Sequence, residues 1–187
     1  MKAIRFSVFT TLIGIGALIL TISTVVIVVG NSLPAMFSYA QTTNIKTTTN
    51  ATTFHSAFDT FAVPGSVKGY GAYQAHNSSI FKPAENILLY VEPAGYSYKP
   101  VGSLFLMNFT ADIVISNKTS GHVLAEFQNV PISTLISHHK NKELFMIITV
   151  NQSTPFPPGN YMLKYTIHDV PSGNSFDIVK NIMIGTG

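Results

Sequence analysis

Phe105-Leu106-Met107-Asn108-Phe109-Thr110-Ala111-Asp112-Ile113-Val114-Ile115-Ser116 decides the fold class. Its odd positions, Phe105, Met107, Phe109, Ala111, Ile113 and Ile115, are all apolar, whereas Asn108, Thr110, Asp112 and Ser116 fall between them. Successive side chains of a strand point to opposite faces, so this period of two predicts a strand whose odd residues face a core. The next residues, Asn117-Lys118-Thr119-Ser120-Gly121, are turn formers, and His122 to Phe127 resumes with Val123, Ala125 and Phe127 on one side. Together they predict a hairpin.

Working outward, the same grammar recurs. Gly69 to Ala75, Ile87 to Glu92, Leu144 to Val150, Tyr161 to His168 and Phe176 to Ile184 are short apolar runs separated by Gly, Pro, Asn and Ser. No stretch from Phe61 onward carries a helical stripe. About seven strands at this spacing predict an all-β, two-sheet sandwich. Ile132 to Asn141 is the weakest stretch and reads as a crossing loop with room for one helical turn. Pro157-Pro158-Gly159-Asn160-Tyr161 leads a turn into a tyrosine that opens a late strand, the order of a tyrosine corner, in which the phenol satisfies a backbone group of the preceding turn.

Before the domain lies a different kind of sequence. Phe6 to Gly30 is an uncharged apolar run of 25 residues, preceded by Lys2 and Arg5. It predicts one N-terminal hydrophobic helix, since about 20 apolar residues span a bilayer. Ser38-Tyr39-Ala40 before Gln41 also presents the small residues of a signal-peptidase site, although a signal peptide ordinarily needs an apolar stretch of about 7 to 15. Residues 1–40 are therefore a signal peptide or a signal anchor. With no further positive charge until Lys46, either reading places the remainder outside the membrane. Residues 41–57 hold seven threonines with few apolar residues and read as a linker. The sandwich domain then occupies residues 58–187.

Composition narrows the function. Without cysteine there is no disulfide framework, thiolate metal site or cysteine nucleophile. The net charge of +3 includes Lys2 and Arg5 of the targeting segment, and Arg5 is the only arginine, so recognition of nucleic acid through guanidinium forks is excluded beyond it. Asn50, Asn77, Asn108, Asn117 and Asn151 each begin an Asn-x-Ser/Thr triplet without proline, glycosylation acceptors in an exported chain. Alternation along the first strand turns Asn108 towards solvent.

No Gly-x-Ser-x-Gly elbow or P-loop is present, and the eight carboxylates are scattered singly, so the chain reads as non-enzymatic and without a cofactor. Histidines are the sole candidates for a metal site. His138 and His139 are adjacent, and His122 or one of Met107, Met146 and Met162 would have to complete a copper or zinc site. Tyr96 and Tyr98, in Pro93-Ala94-Gly95-Tyr96-Ser97-Tyr98-Lys99-Pro100, are the candidate contact residues for a protein or glycan, or else cover one end of the sandwich.

The segments Gly69-Tyr70-Gly71-Ala72-Tyr73, Phe81-Lys82-Pro83-Ala84-Glu85-Asn86-Ile87-Leu88-Leu89-Tyr90-Val91-Glu92, Pro157-Pro158-Gly159-Asn160-Tyr161 and Asp169-Val170-Pro171-Ser172-Gly173-Asn174-Ser175 resemble exported immunoglobulin-like proteins of archaea and bacteria. The resemblance runs from Gly69 to the end. It implies an immunoglobulin-like sandwich, an extracytoplasmic site and no catalytic residues to carry over. Ala84 stands where the resemblance expects glycine in a Phe-Lys-Pro-Gly turn, which leaves the turn type open. The expectation is a binding or structural module of the cell envelope acting through loops and sheet edges, with an exported metal-handling protein as the alternative.

Overall fold

A computed structural model describes residues 21–23 and 53–186. Ten strands are present: β1 (Thr21–Ser23), β2 (His55–Ala62), β3 (Ile80–Phe81), β4 (Ile87–Ala94), β5 (Lys99–Val101), β6 (Leu104–Asn117), β7 (Val123–Ser137), β8 (Met146–Asn151), β9 (Gly159–Asp169) and β10 (Asn174–Ile184). They form two sheets. The smaller runs β1-β8-β4-β2. In the larger, β3, β10, β9 and β6 are neighbours in that order, and β7 takes the far edge of β6. The short β5 pairs with the first residues of β6, in line with β9 on the same edge. Among the described residues there is no helix, and so none long and apolar enough to cross a membrane.

β6 behaves as its alternation demands. Met107, Phe109, Ala111, Ile113 and Ile115 are fully buried, while the residues between them are half-buried or exposed, apart from Ser116. Tyr161, Leu163, Tyr165 and Ile167 of β9 and Ile178, Ile182 and Ile184 of β10 present the same kind of face beside it. From the smaller sheet, Ile87, Leu89 and Val91 of β4 and Met146, Ile148 and Val150 of β8 close the core. The driving force is the burial of these side chains, about 1.5 to 3 kcal/mol for each large one.

The turns follow their chemistry. Asn117 accepts the N–H groups of Thr119 and Ser120 on Oδ1, both at 2.9 Å, and Gly121 supplies a φ of +70° to close the β6–β7 hairpin. At Lys82-Pro83-Ala84-Glu85 the N–H of Glu85 donates to the carbonyl of Lys82 at 3.1 Å, and Ala84 takes a φ of +65°. This is a type II turn with proline at its second position and alanine where glycine is favoured. The turn expected of a glycine is kept, with the strain carried by Ala84.

Several elements differ from the sequence expectation. The domain begins earlier: His55 to Ala57, expected in the linker, already belong to β2, and Phe54 before them is buried, stacked 6.1 Å from Phe109 and edge-on to Phe176 at 4.7 Å. Gly69 to Ala75 is not a strand but an excursion with isolated bridges, folded back on β2 through Val63 N–H to Gln74 O and His76 N–H to Phe61 O, both 2.9 Å. Ile132 to Ser137 is neither helical nor a loop: β7 continues through it, and Ile132 is buried in the core. Three register shifts against β6 break the alternation that would have revealed it. Of residues 6–30, expected as one helix, only Thr21–Ser23 are described, as the short strand β1 beside β8. The rest of that helix, the signal-peptidase site, the linker up to residue 52 and Asn50 lie outside the described residues.

Candidate aromatic binding surface

The outer face of the smaller sheet is built from the even residues of β4. Leu88, Tyr90 and Glu92 stand across from Ala62, Thr60 and Phe58 of β2, and Tyr90 pairs on its other side with Ile147 of β8. A sheet face this apolar needs a cover, and the excursion after β2 supplies one. Val67 and Tyr73 pack onto Ala62, Leu88 and Tyr90, with Phe145 and Ile147 at the other margin. The Tyr90 ring lies 4.4 Å from Tyr73, 5.8 Å from Phe145 and 6.4 Å from Phe58, and Phe58 lies 6.0 Å from Tyr73.

Tyr90 also fixes the cover in place. Its hydroxyl donates to Glu92 Oε1 at 2.6 Å and accepts the Gly71 N–H at 2.8 Å. Burial, followed by the hydrogen bond to Glu92, pushes its phenol well above the ordinary tyrosine value, so it stays a donor. Gly71 carries a φ of +66° in the tight turn closed by Ala72 N–H to Gly69 O at 3.1 Å. Tyr70 is thereby held at the tip, 42% exposed, while Phe58 on the neighbouring strand is 41% exposed. The result is a shelf of four contacting aromatic rings, Phe58, Tyr73, Phe145 and the buried Tyr90 that anchors them, with the Glu92 carboxylate at its margin and Tyr70 exposed at the tip of the cover. Such a surface can stack on the apolar face of a sugar ring or an apolar peptide side chain, because rigid aromatics lose little entropy on contact.

The expected contact pair lies elsewhere and is differently used. Tyr96 is buried and Tyr98 half-buried, and both hydroxyls donate to the carbonyl of Asn141, at 2.6 and 2.5 Å. The Tyr96 ring meets Phe109 edge-on at 5.6 Å, and the Lys140 ammonium sits 5.4 Å from the centre of Phe105 and 5.7 Å from that of Tyr98. This loop thus clamps one end of the sandwich, and Tyr96 is not a surface contact residue. A single sequence run with two tyrosines cannot show that both phenols converge on one carbonyl more than forty residues away.

Beside the clamp, Ser97, Tyr98, Lys99, Leu106, Asn108, Val170 and Pro171 line an open cleft of about 410 Å³. Asp169, fully buried, ties its walls together: Oδ2 accepts the Ser97 N–H at 2.8 Å and the Ser172 hydroxyl at 2.6 Å, while Oδ1 has no partner. Asn108 does not stand free in solvent. It is half-buried, and its Oδ1 accepts the Thr134 hydroxyl at 3.0 Å. Asn117 is engaged in its turn, Asn151 ends β8 half-buried, and Asn77 is exposed in the loop before β3.

The histidines do not gather. His122 precedes β7 and His138 and His139 follow it, so the length of that strand, roughly 50 Å if fully extended, separates them. All three are exposed, Met107 and Met146 are core residues, and His76 and His168 are paired with Glu85 at 3.3 Å and Asp112 at 2.9 Å. Among the described residues no three His, Asp or Glu side chains are placed to hold a metal ion. In the sequence Tyr70, Tyr73 and Tyr90 fall within the same aromatic-rich stretch as Tyr96, Tyr98, Phe105 and Phe109. Phe58 and Phe145 were not associated with them, because only the pairing of β2, β4 and β8 brings them to one face. No protein-family model and no curated protein sequence matches the chain.

Proposed function

We propose that the chain is an exported, non-enzymatic binding module of immunoglobulin-like type, held at or released from the cell surface, whose contact surface is the aromatic shelf. The strand order supports the immunoglobulin-like reading. β2, β4 and β8 take the places of strands A, B and E, and β10, β9, β6 and β7 those of G, F, C and C′, with β3 parallel to β10. Tyr161 supports it further: at the start of β9 its hydroxyl donates to the Pro157 carbonyl four residues upstream at 2.8 Å, the geometry of a tyrosine corner. The targeting segment and the acceptor triplets favour an extracytoplasmic site and a glycan-rich neighbourhood.

The observation that carries the reading is the exposure of two large rings, Phe58 on β2 and Tyr70 at the tip of the excursion, which remain about two-fifths exposed although the face between β2 and β8 is covered. The test is cosedimentation of purified chain with isolated cell envelope, and with envelope stripped of its glycans. Phe58→Ala combined with Tyr70→Ala is expected to weaken binding on the order of tenfold or more, each ring contributing upwards of about 1 kcal/mol at an interface, with the β-sheet circular dichroism spectrum retained. Equal binding by the double variant would reject the shelf as the contact surface.

A further inference from the structure

The outer face of the smaller sheet is covered at one end and open at the other. Outward along β4 it runs Leu88, Tyr90, Glu92, with Ala62, Thr60 and Phe58 of β2 opposite them. The cover reaches as far as Tyr90, where the Gly71 N–H meets the phenol at 2.8 Å. Beyond that point Phe58 and Glu92 stand across from each other on neighbouring strands, the ring exposed and the carboxylate half-buried. The open end of the face therefore joins an uncovered aromatic ring to an acid.

The charge of this end is negative. Asp59, Glu85, Asp112 and Asp177 are each paired with a lysine or a histidine of the chain. Glu92 meets phenols instead: Oε1 accepts the Tyr90 hydroxyl at 2.6 Å, and the Tyr70 phenol is pushed up first by desolvation and then by the Glu92 carboxylate, with Glu143 adding to it. A carboxylate offers about four acceptor positions, so these phenols leave room for a further donor. The rings add to the same sign, because the face of an aromatic quadrupole is its negative part. Since the whole chain carries a formal net charge of +3, attraction for a cation at this place is local. The domain holds one of its own lysines in the same way: the Lys180 ammonium pairs with Asp59 and lies 6.0 Å from the centre of the Phe61 ring.

We infer that the open end of the shelf takes a lysine or arginine side chain from a basic segment of a partner protein, with the apolar stem against Phe58 and the cationic head at Glu92. Long basic side chains carry both parts in one group, an apolar stem and a charged tip. A neutral sugar would use the ring and leave the charge unanswered. The inference rests on the shelf being the contact surface, and it names the chemistry of what the shelf contacts.

The test titrates the full chain, at low salt in an uncharged polyoxyethylene detergent, with a short peptide of alternating lysine and serine and with the same peptide acetylated on every lysine. Binding is read from the carbon signals of isotope-labelled Phe and Tyr rings. The expected result is saturable binding of the lysine peptide, weakened about threefold or more by acetylation, by Glu92→Gln and by Phe58→Ala. Glu92→Gln keeps an oxygen for the Tyr90 hydroxyl, so the cover stays in place. Glu126→Gln, at an exposed carboxylate on β7, is expected to bind like wild type. No saturable binding, equal binding of the charged and acetylated peptides, or equal losses in Glu92→Gln and Glu126→Gln would each overturn the inference. A loss from Glu92→Gln with none from Phe58→Ala would also overturn it, since plain charge attraction needs no ring. Cosedimentation with cell envelope separates this inference from the reading beneath it. Envelope binding that falls in the Phe58→Ala, Tyr70→Ala double variant, yet persists in Glu92→Gln and is displaced by neutral oligosaccharide but not by the lysine peptide, keeps the shelf and overturns the basic partner.

Discussion

Replacing Ala84 with glycine should stabilise the domain. Ala84 is exposed, so no buried surface is lost, and its φ of +65° places it in the left-handed region at the third position of the Lys82–Glu85 turn. An L-residue with a Cβ is disfavoured there by about 1 to 2 kcal/mol relative to its right-handed alternative, a penalty that glycine does not carry. Against this, glycine widens the unfolded ensemble and costs about 0.4 to 1 kcal/mol. The difference is a net gain of about 0.5 to 1 kcal/mol, or a rise in melting temperature of about 2 to 4 °C for a domain of this size. Urea unfolding of wild type and Ala84→Gly measures it, with the midpoint raised and the slope unchanged. The companion variant Ala84→Val should lose stability, because branching at Cβ aggravates the same clash. A lowered midpoint for Ala84→Gly, or equal midpoints for the glycine and valine variants, would refute the reasoning, since neither is compatible with a strained left-handed residue.

Two further outcomes follow from the same geometry. Tyr161→Phe removes the hydroxyl that donates to Pro157 O at 2.8 Å while leaving the ring against Phe156, so a loss of about 0.5 to 1.5 kcal/mol in urea unfolding is expected; no loss would mean that the corner is held by ring packing alone. The Asp112 carboxyl is held below the usual carboxylate range, first by the Asn129 N–H at 2.8 Å and then by His168. A depressed carboxylate stabilises the fold above its unfolded value, near pH 4, and this contribution disappears as pH falls through the folded value. The unfolding midpoint of wild type should therefore drop below pH 4 more steeply than that of Asp112→Asn, and parallel profiles would exclude the carboxylate as a source of acid sensitivity.

How far the sequence could be read depended on how regular each element is. β6 and β9 were legible because one face is buried along most of their length, so the phase of each strand follows from its apolar residues, and β10 keeps that alternation around Lys180. β4 was legible as a strand but not as one buried on both faces, since the cover over Leu88 and Tyr90 comes from the excursion between β2 and β3. β7 was half legible: its first residues obey the hairpin pattern, and the bulges that curve the rest shift the alternation out of phase. The start of β2 was hidden at the end of a threonine-rich run, where His55 and Ser56 already pair with β4.

Composition and local order alone excluded thiol chemistry, predicted an all-β chain and located the β6–β7 hairpin, because turn propensity and side-chain alternation are properties of neighbouring residues. They also placed a tyrosine at the corner before β9, where the bond to Pro157 spans only four residues. What needed the tertiary structure was every statement about which surface is free. Tyr96 and Tyr98 are spent on one carbonyl, whereas Phe58 and Tyr70 are left exposed. Exposure is decided by segments distant in sequence packing over one another, and no local pattern in a β-rich chain encodes which strand will end beside which.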